Sequence, residues 1–351
     1  ILSQRTTFNY EVIIHDDVST DGTRDIIQDY QFRFPDKVKI ILEEENQYSQ
    51  GTDFFADIVT NVAKGRYIAL CEGDDYWTCD EKLQAQFDAM ESHPECDMCA
   101  CRGCTVSEDG GREIEDIRPR QGDGILSVES VIGGGGLFLA TAGIFFRKEM
   151  YAERINFEKV LTIDYSMQIK GALRGGIVYI DRKMVAYRRF AEGSWTNGIL
   201  QDEEKRKLHL KRVREMLEAL DVDTDGAYHD VIAERLKAYV PFDTQLEMHI
   251  GEITPLLDAL QGSAYVWGRG RRGAALEGWL KKKGYGICGI CDMVNSDIGK
   301  MTVNGNPIVY TDEVLLKADV IFATNHAIYN SLVKQQVMGE VMDFQEFMPW
   351  G

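Results

Sequence analysis

Residues 66–77, RYIALCEGDDYW, run along an apolar segment and stop abruptly in three carboxylates, Glu72, Asp74 and Asp75, with two aromatic residues directly behind. Carboxylates this close repel one another, and each resists leaving water unless a cation or a hydrogen-bond donor compensates it. The segment reads as a β-strand whose C-terminal end gathers negative charge for a positive partner that the local sequence lacks.

The neighbouring segments repeat the pattern. EVIIHDD (11–17) is a second short β-branched run ending in acid, followed by VSTDGT, which is dense in turn formers. RDIIQDYQFRF (24–34) places Ile26, Ile27, Tyr30 and Phe34 at helical spacing and stops at Pro35. KVKIILEE (37–44) then reads as a strand and FFADIVTNVA (54–63) as a helix. Strands alternating with helices predict an α/β fold with a largely parallel sheet. Thr78 and Glu81 stand three apart, as a capping box requires, ahead of KLQAQFDAM (82–90). The acidic stretch is thus expected in a loop between a strand's C-terminal end and a helix N-terminus, the edge at which open α/β sheets bind ligands. DMCACRGCTV (97–106) and a hairpin around Gly110 and Gly111 predict that the sheet becomes mixed, and a glycine run at 133–136 precedes a strand in TAGIFFRK (141–148).

The 351 residues exceed what one core usually organises, so two domains are expected. Hydrophobic residues make up 44% and charged residues 27%, as in globular proteins, and no apolar run approaches the roughly 20 residues that cross a bilayer. The reading is a cytoplasmic chain with peripheral membrane contact at most. A net charge of -18 argues against nucleic acid and makes any anionic ligand dependent on a metal ion or on helix N-termini. Four of the eight cysteines cluster in CDMCACRGC (96–104). On a strand, Cys99 and Cys101 face one way and Cys96 and Cys104 the other, so small apolar residues of a reduced protein are the better reading than a zinc site.

Beyond residue 200, DEEKRKLHLKRVREMLEAL (202–220) is a charged amphipathic helix, and helical patterns continue to about Leu260, as in a connector. From Ala264 a second α/β unit begins. AYVWGRGRRG (264–273) sets Gly268, Gly270 and Gly273 in G-x-G-x-x-G spacing between a strand and a helix, with Asp292 at the distance of a ribose-binding acid. Arg269, Arg271 and Arg272 among the glycines suit a pyrophosphate.

Hard cations such as Mg2+ and Mn2+ favour carboxylate oxygen and keep positions for phosphate, so a nucleoside diphosphate bridged by a metal would answer the two acidic loops together. At this point EVIIHDDVSTDGT, AKGRYIALCEGDDYWTCDEKLQAQ and YRRFAEGSWTN resemble, in order, the motifs of glycosyltransferase family 2, the inverting GT-A enzymes with nucleotide-sugar donors. The resemblance covers residues 1–197. It implies a GT-A domain over 1–200; the helical patterns make 201–260 a connector, and residues 261–351, outside the family's core, resemble the Rossmann-like nucleotide-sugar-binding domains found beside sugar-modifying enzymes, open to a nucleotide sugar, NAD or no ligand.

The resemblance also implies roles. The first motif, with Asp17 and Ser19, would meet the donor's nucleoside; Asp74 would lie near the ribose and Asp75 would bind the Mn2+ or Mg2+ that holds the diphosphate. Asp164 would be the catalytic base, and Arg188 and Trp195 would lie over the donor. The acceptor would be a saccharide or lipid-linked saccharide hydroxyl. Two departures are expected to matter: Phe190 stands where many relatives carry His, and ILSQRTTFNYE (1–11) resembles the helix after the family's first strand, so roughly 20 residues are expected to precede it and the sheet to have an open edge. The rival readings are a non-catalytic nucleotide-sugar-binding module and an NAD-dependent sugar-modifying activity in the C-terminal domain.

Overall fold

The computed structural model describes residues 1–50, 53–161, 164–188, 202–240, 242–259, 261–292, 297–324, 326–335, 337 and 339–343. The chain divides into two compact units, Ile1–Arg235 and Leu236–Gly351. The helices expected to form one connector are shared between them: Glu203–Asp223 lies in the first unit, whereas Phe242–Met248 and Ile250–Ala259 lie in the second.

In the first unit, β1 (Val12–Asp16) and β2 (Val38–Leu42) pair in parallel as a separate two-stranded sheet, joined by the helix Thr23–Arg33. The main sheet contains β3 (Tyr67–Ala69), β4 (Tyr76–Trp77), β5 (Met98–Val106), β6 (Glu113–Ile117), β7 (Gly124–Leu126), β8 (Ile144–Arg147) and β9 (Ile177–Arg188), in the order β3-β8-β5-β9-β4, with β6 on β5 and β7 on β9. It is mixed: β5 and β9 run parallel, and the other described pairs are antiparallel. β5 is its centre. Every residue of β5 except Arg102 is buried, so its four small thiols and methyls are packing groups. All eight cysteines are free, and Cys96, Cys99, Cys101 and Cys104 sit among apolar neighbours such as Met90, Phe145, Val185 and Ala186.

Two local expectations are corrected. Of the apolar row Ile26, Ile27, Tyr30 and Phe34, only Ile27 is buried, and Ile26 is 60% exposed. The helix rests on β2 of a two-stranded sheet, which covers one narrow stripe; the Arg33 guanidinium lies over the Tyr30 and Phe34 rings instead. The capping box of Thr78 and Glu81 does not form. The helix runs Lys82–Ser92 with Glu81 itself at the cap and no side-chain cap bond, because the Glu81 carboxylate is taken by Arg182 (3.0 Å) and Arg5 (3.3 Å).

The second unit is a four-stranded parallel sheet of β10 (Ala264–Trp267), β11 (Gly289–Cys291), β12 (Val320–Ala323) and β13 (Glu340–Asp343), ordered β11-β10-β12-β13. Alternation along the strands builds a core on each face. Val266, Ile290 and Phe322 pack with Leu276 and Leu280 of the helix Arg271–Lys283 and with Leu246, Ile253 and Leu257, while Tyr265, Trp267, Cys291, Ile321 and Ala323 pack on the other side with Val314 and Leu332. Among the described residues no helix is long and apolar enough to cross a membrane.

Candidate active site

The acidic loop spans the gap from β3 to β4 and is fixed at both ends. Leu70 N–H donates to Ile144 O (3.2 Å), Trp77 Nε1 donates back to Leu70 O (3.2 Å), and Tyr76 and Trp77 pair with Ala186 and Val185 of β9. Within the loop, Asp75 N–H donates to Glu72 O (3.1 Å), closing the turn that presents the carboxylates.

Asp75 is 9% exposed. Its Oδ1 accepts the Arg188 backbone N–H at 2.9 Å, at the end of β9, while among the described residues its Oδ2 is buried with no hydrogen-bond partner. Arg188 Nε is buried without a partner in the same sense, and its guanidinium lies 5.6 Å from the Tyr76 ring centre. A buried carboxylate oxygen and a buried guanidinium N–H, both left unsatisfied beside one contact, are costly to the protein alone.

Asp164 opens the helix Asp164–Leu173 and is half-buried. The Thr141 hydroxyl donates to its Oδ2 at 2.5 Å. Thr141 begins the short turn Thr141–Gly143, which follows the glycine run and leads into β8, so the strand that flanks β3 also delivers the partner of Asp164. Glu72 faces the same carboxyl. Desolvation, then Asp164, Asp75 and Asp74, push the Glu72 carboxyl up to about 8, an upward shift that solvent at this exposed residue screens in part. Desolvation, only partly opposed by the Arg188 N–H, pushes Asp75 up to about 6, and desolvation likewise raises Asp164 against the lowering effect of Thr141. Three carboxyls of one site thus resist being charged together.

Beneath them lies a buried bracket. Lys82 is fully buried, its ammonium 4.1 Å from the Trp77 ring and 2.8 Å from Gln86 Oε1, and burial lowers its pKa. Gln86 Nε2 donates to Gly143 O at 2.7 Å. One face of the helix Lys82–Ser92 therefore holds both the aromatic end of the acidic loop and the turn that carries Thr141.

The structure brings Asp75, Arg188 and Asp164 together and adds Glu72 and Thr141. Asp17 and Ser19 stand at the end of β1, in the separate small sheet. Asp17 Oδ1 accepts Gln47 N–H (2.6 Å), and Ser19 N–H donates to Asp16 Oδ2 (3.2 Å), which also accepts Arg24 Nε (2.6 Å). Between them Val18 adopts φ +69°, a left-handed conformation that is strained for a β-branched residue. Trp195 and Phe190 lie outside the described residues. Glu72 is visible in the crowded stretch but its pairing with Asp164 is not, and Thr141 carries no signal in sequence beyond following the glycine run. Among the described residues no three His, Cys, Asp or Glu side chains converge as a ready-made metal cage.

In the second unit the glycine turn joins β10 to the helix Arg271–Lys283. Gly268 has φ +115°, and a Cβ there would lie 2.1 Å from Thr324 Oγ1; a Cβ on Gly273 would lie 1.7 Å from Gly268 O. Gly270, at the cap of the helix Arg271–Lys283, has open space around it. Asp292 Oδ2 accepts the Arg269 backbone N–H at 3.0 Å, so this acid braces the turn, and Arg272 Nη1 donates to Thr324 O at 3.4 Å.

Residues 1–154 match the model of Glycosyl transferase family 2. An uncharacterized protein of Mycobacterium tuberculosis is 36% identical over 193 residues, 55% of this chain and 54% of the relative. The putative teichuronic acid biosynthesis glycosyltransferase TuaG of Bacillus subtilis is 39% identical over 82 residues, 23% of this chain and 31% of its own. The UDP-Glc:alpha-D-GlcNAc-diphosphoundecaprenol beta-1,3-glucosyltransferase WfaP of Escherichia coli is 41% identical over 91 residues, 26% of this chain and 33% of its own. The chain spans about half the length of the first of these relatives. The N-terminal part of the chain thus matches a glycosyltransferase domain, whose fold is GT-A. Over residues 1–154 the chain is similar to glycosyl transferase family 2.

Proposed function

We propose that the chain transfers a sugar, with inversion, from a nucleoside-diphosphate donor to a hydroxyl of a saccharide or lipid-linked saccharide in the synthesis of a bacterial surface polysaccharide. The observation that carries the reading is the unsatisfied pair beside Asp164. Asp75 Oδ2 suits a hard cation that takes the rest of its shell from diphosphate and water, and Arg188 Nε suits a phosphate oxygen. A nucleotide-sugar diphosphate with its cation supplies both partners at once.

The residues present fit Mn2+ or Mg2+ at Asp75, and such an ion would neutralise charge on the diphosphate. Asp74 and Arg188 would orient the donor, with Asp17 and Ser19 toward its nucleoside. Asp164 would take the proton of the acceptor hydroxyl as that oxygen attacks the anomeric carbon from the face opposite the leaving group. UDP as the nucleotide and a polyprenyl-diphosphate-linked acceptor are carried over from the printed name of the Escherichia coli relative. For the second unit we propose a Rossmann-like nucleotide site at Gly268, Gly270 and Gly273, taking a nucleotide sugar or NAD; open space at Gly270 and the neighbouring arginines support it.

Calorimetric titration of UDP with and without Mn2+, on the folded chain and on Asp75→Asn, tests the first site. The expected result is Mn2+-dependent binding that weakens on the order of tenfold or more in the variant. Binding that ignores both Mn2+ and the substitution would remove Asp75 from the donor site.

A further inference from the structure

We propose that Thr141 is the positioning residue of Asp164: its hydroxyl, delivered by a separate turn, fixes the carboxyl that accepts the acceptor's proton. The proposal rests on the reading of Asp164 as the base.

Asp164 stands at the start of its own helix, where rotation about its side-chain bonds would otherwise let the carboxyl turn toward the helix N-terminus and serve as a cap. The 2.5 Å bond from Thr141 Oγ1 to Oδ2 comes instead from the turn Thr141–Gly143. That turn has little freedom. Gly143 N–H donates to Ala140 O (2.8 Å), Gly143 O accepts Gln86 Nε2 (2.7 Å), and a Cβ at Gly143 would lie 3.1 Å from Cys101 O of β5. Gln86 in turn accepts from the fully buried Lys82. Thr141 is thereby set by the sheet and by the helix Lys82–Ser92, and Asp164 is set by Thr141.

A threonine hydroxyl has one proton to donate. Around Asp164, the Glu72 and Asp75 carboxyls of the acidic loop resist being charged beside it, Glu72 drawing on the same Thr141 hydroxyl, and Tyr151 from the turn Lys148–Tyr151 is held as a neutral phenol by burial. The Thr141 proton on Oδ2 fixes the orientation of the Asp164 carboxyl and lowers its pKa against the upward effect of burial.

The test follows the Asp164 carboxyl by 13C NMR of the full chain labelled at Asp Cγ, the resonance being identified by its loss in Asp164→Asn. Thr141→Val should raise the Asp164 titration midpoint by about one pH unit, roughly tenfold in ionisation constant, and Thr141→Ser should return it to the wild-type value. Thr141→Ala gives the same reading should the valine variant fail to fold. A midpoint in Thr141→Val that coincides with wild type, or one in Thr141→Ser that does not return, overturns the proposal. Neither nucleotide nor acceptor is needed, so failure of the UDP titration would count against the donor reading and leave this result to stand by itself.

Discussion

Glu72 and Asp75 hold their protons more tightly in the fold than in the unfolded chain, and this has a sign. Asp75 moves from 3.8 to about 6 and Glu72 from 4.5 to about 8, desolvation being the largest cause in both. Between the unfolded and folded values the native state binds more protons than the unfolded one, so stability falls as pH rises through that window and levels off above it. Carboxylates held low, such as Asp181 at about 2 beside Arg118, have already made their contribution below this range and do not mask the slope. Glu72→Gln removes the titration that spans the upper part of the window. The wild-type melting temperature should therefore fall between about pH 6 and about pH 8, and the variant should lose clearly less over the same interval. Parallel curves for the two proteins would show that the Glu72 carboxyl is not strained by its neighbours. At this scale the sequence reveals that carboxylates are crowded, because adjacency along the chain is written in it. It does not reveal the crowding of Glu72 against Asp164, since they stand 92 positions apart in the chain.

Elements were legible where local chemistry decides them. The β-branched runs of β1, β2 and β12 have no competing state, and Gly110 and Gly111 make the β5–β6 turn with φ +72° at the first. The capping box was legible but wrong, because Arg5 and Arg182 come from distant parts of the chain and outbid a local backbone N–H for the Glu81 carboxylate. The glycine turn of the second unit separates two reasons for glycine that the spacing alone treats alike. A Cβ on Gly273 would meet a backbone oxygen at 1.7 Å, which no side-chain rotation relieves, whereas Gly270 has nothing within reach. Gly273→Ala should cost several kcal/mol, about 3 or more, through forced separation of the turn from the helix Arg271–Lys283. Gly270→Ala should change stability by about 1 kcal/mol or less while hindering any phosphate that approaches the helix N-terminus. Chemical denaturation of the two variants checks this, and equal losses would mean that the turn is not as tight as it stands.

Over the whole molecule the question is whether the second unit is a domain in the thermodynamic sense. Among the described residues its two cores draw on Phe242 to Met342, one on each face of a fully parallel sheet, and the helices Phe242–Met248 and Ile250–Ala259 supply Leu246, Ile253 and Leu257 to one of them. The sequence places the boundary near 260, because charged helical periodicity up to that point looks uniform. The compact units divide at Leu236, and burial of those three side chains ties the two helices to the second unit. A fragment of residues 236–351 should therefore unfold cooperatively, while one of residues 261–351, stripped of that cover, should expose Val266, Leu276 and Phe322 and aggregate or remain molten. Near-UV circular dichroism and urea unfolding distinguish the two outcomes. Cooperative unfolding of the shorter fragment would return the boundary to residue 261. With a folded 236–351 in hand, titration with UDP-glucose and with NAD decides what the glycine turn accepts. The strand order β11-β10-β12-β13 reverses between β10 and β12, and four strands fall short of the two three-stranded halves that a dinucleotide ordinarily spans. Binding of the nucleotide sugar without NAD is the expected result, and tight NAD binding would shift the second unit toward redox chemistry on sugars.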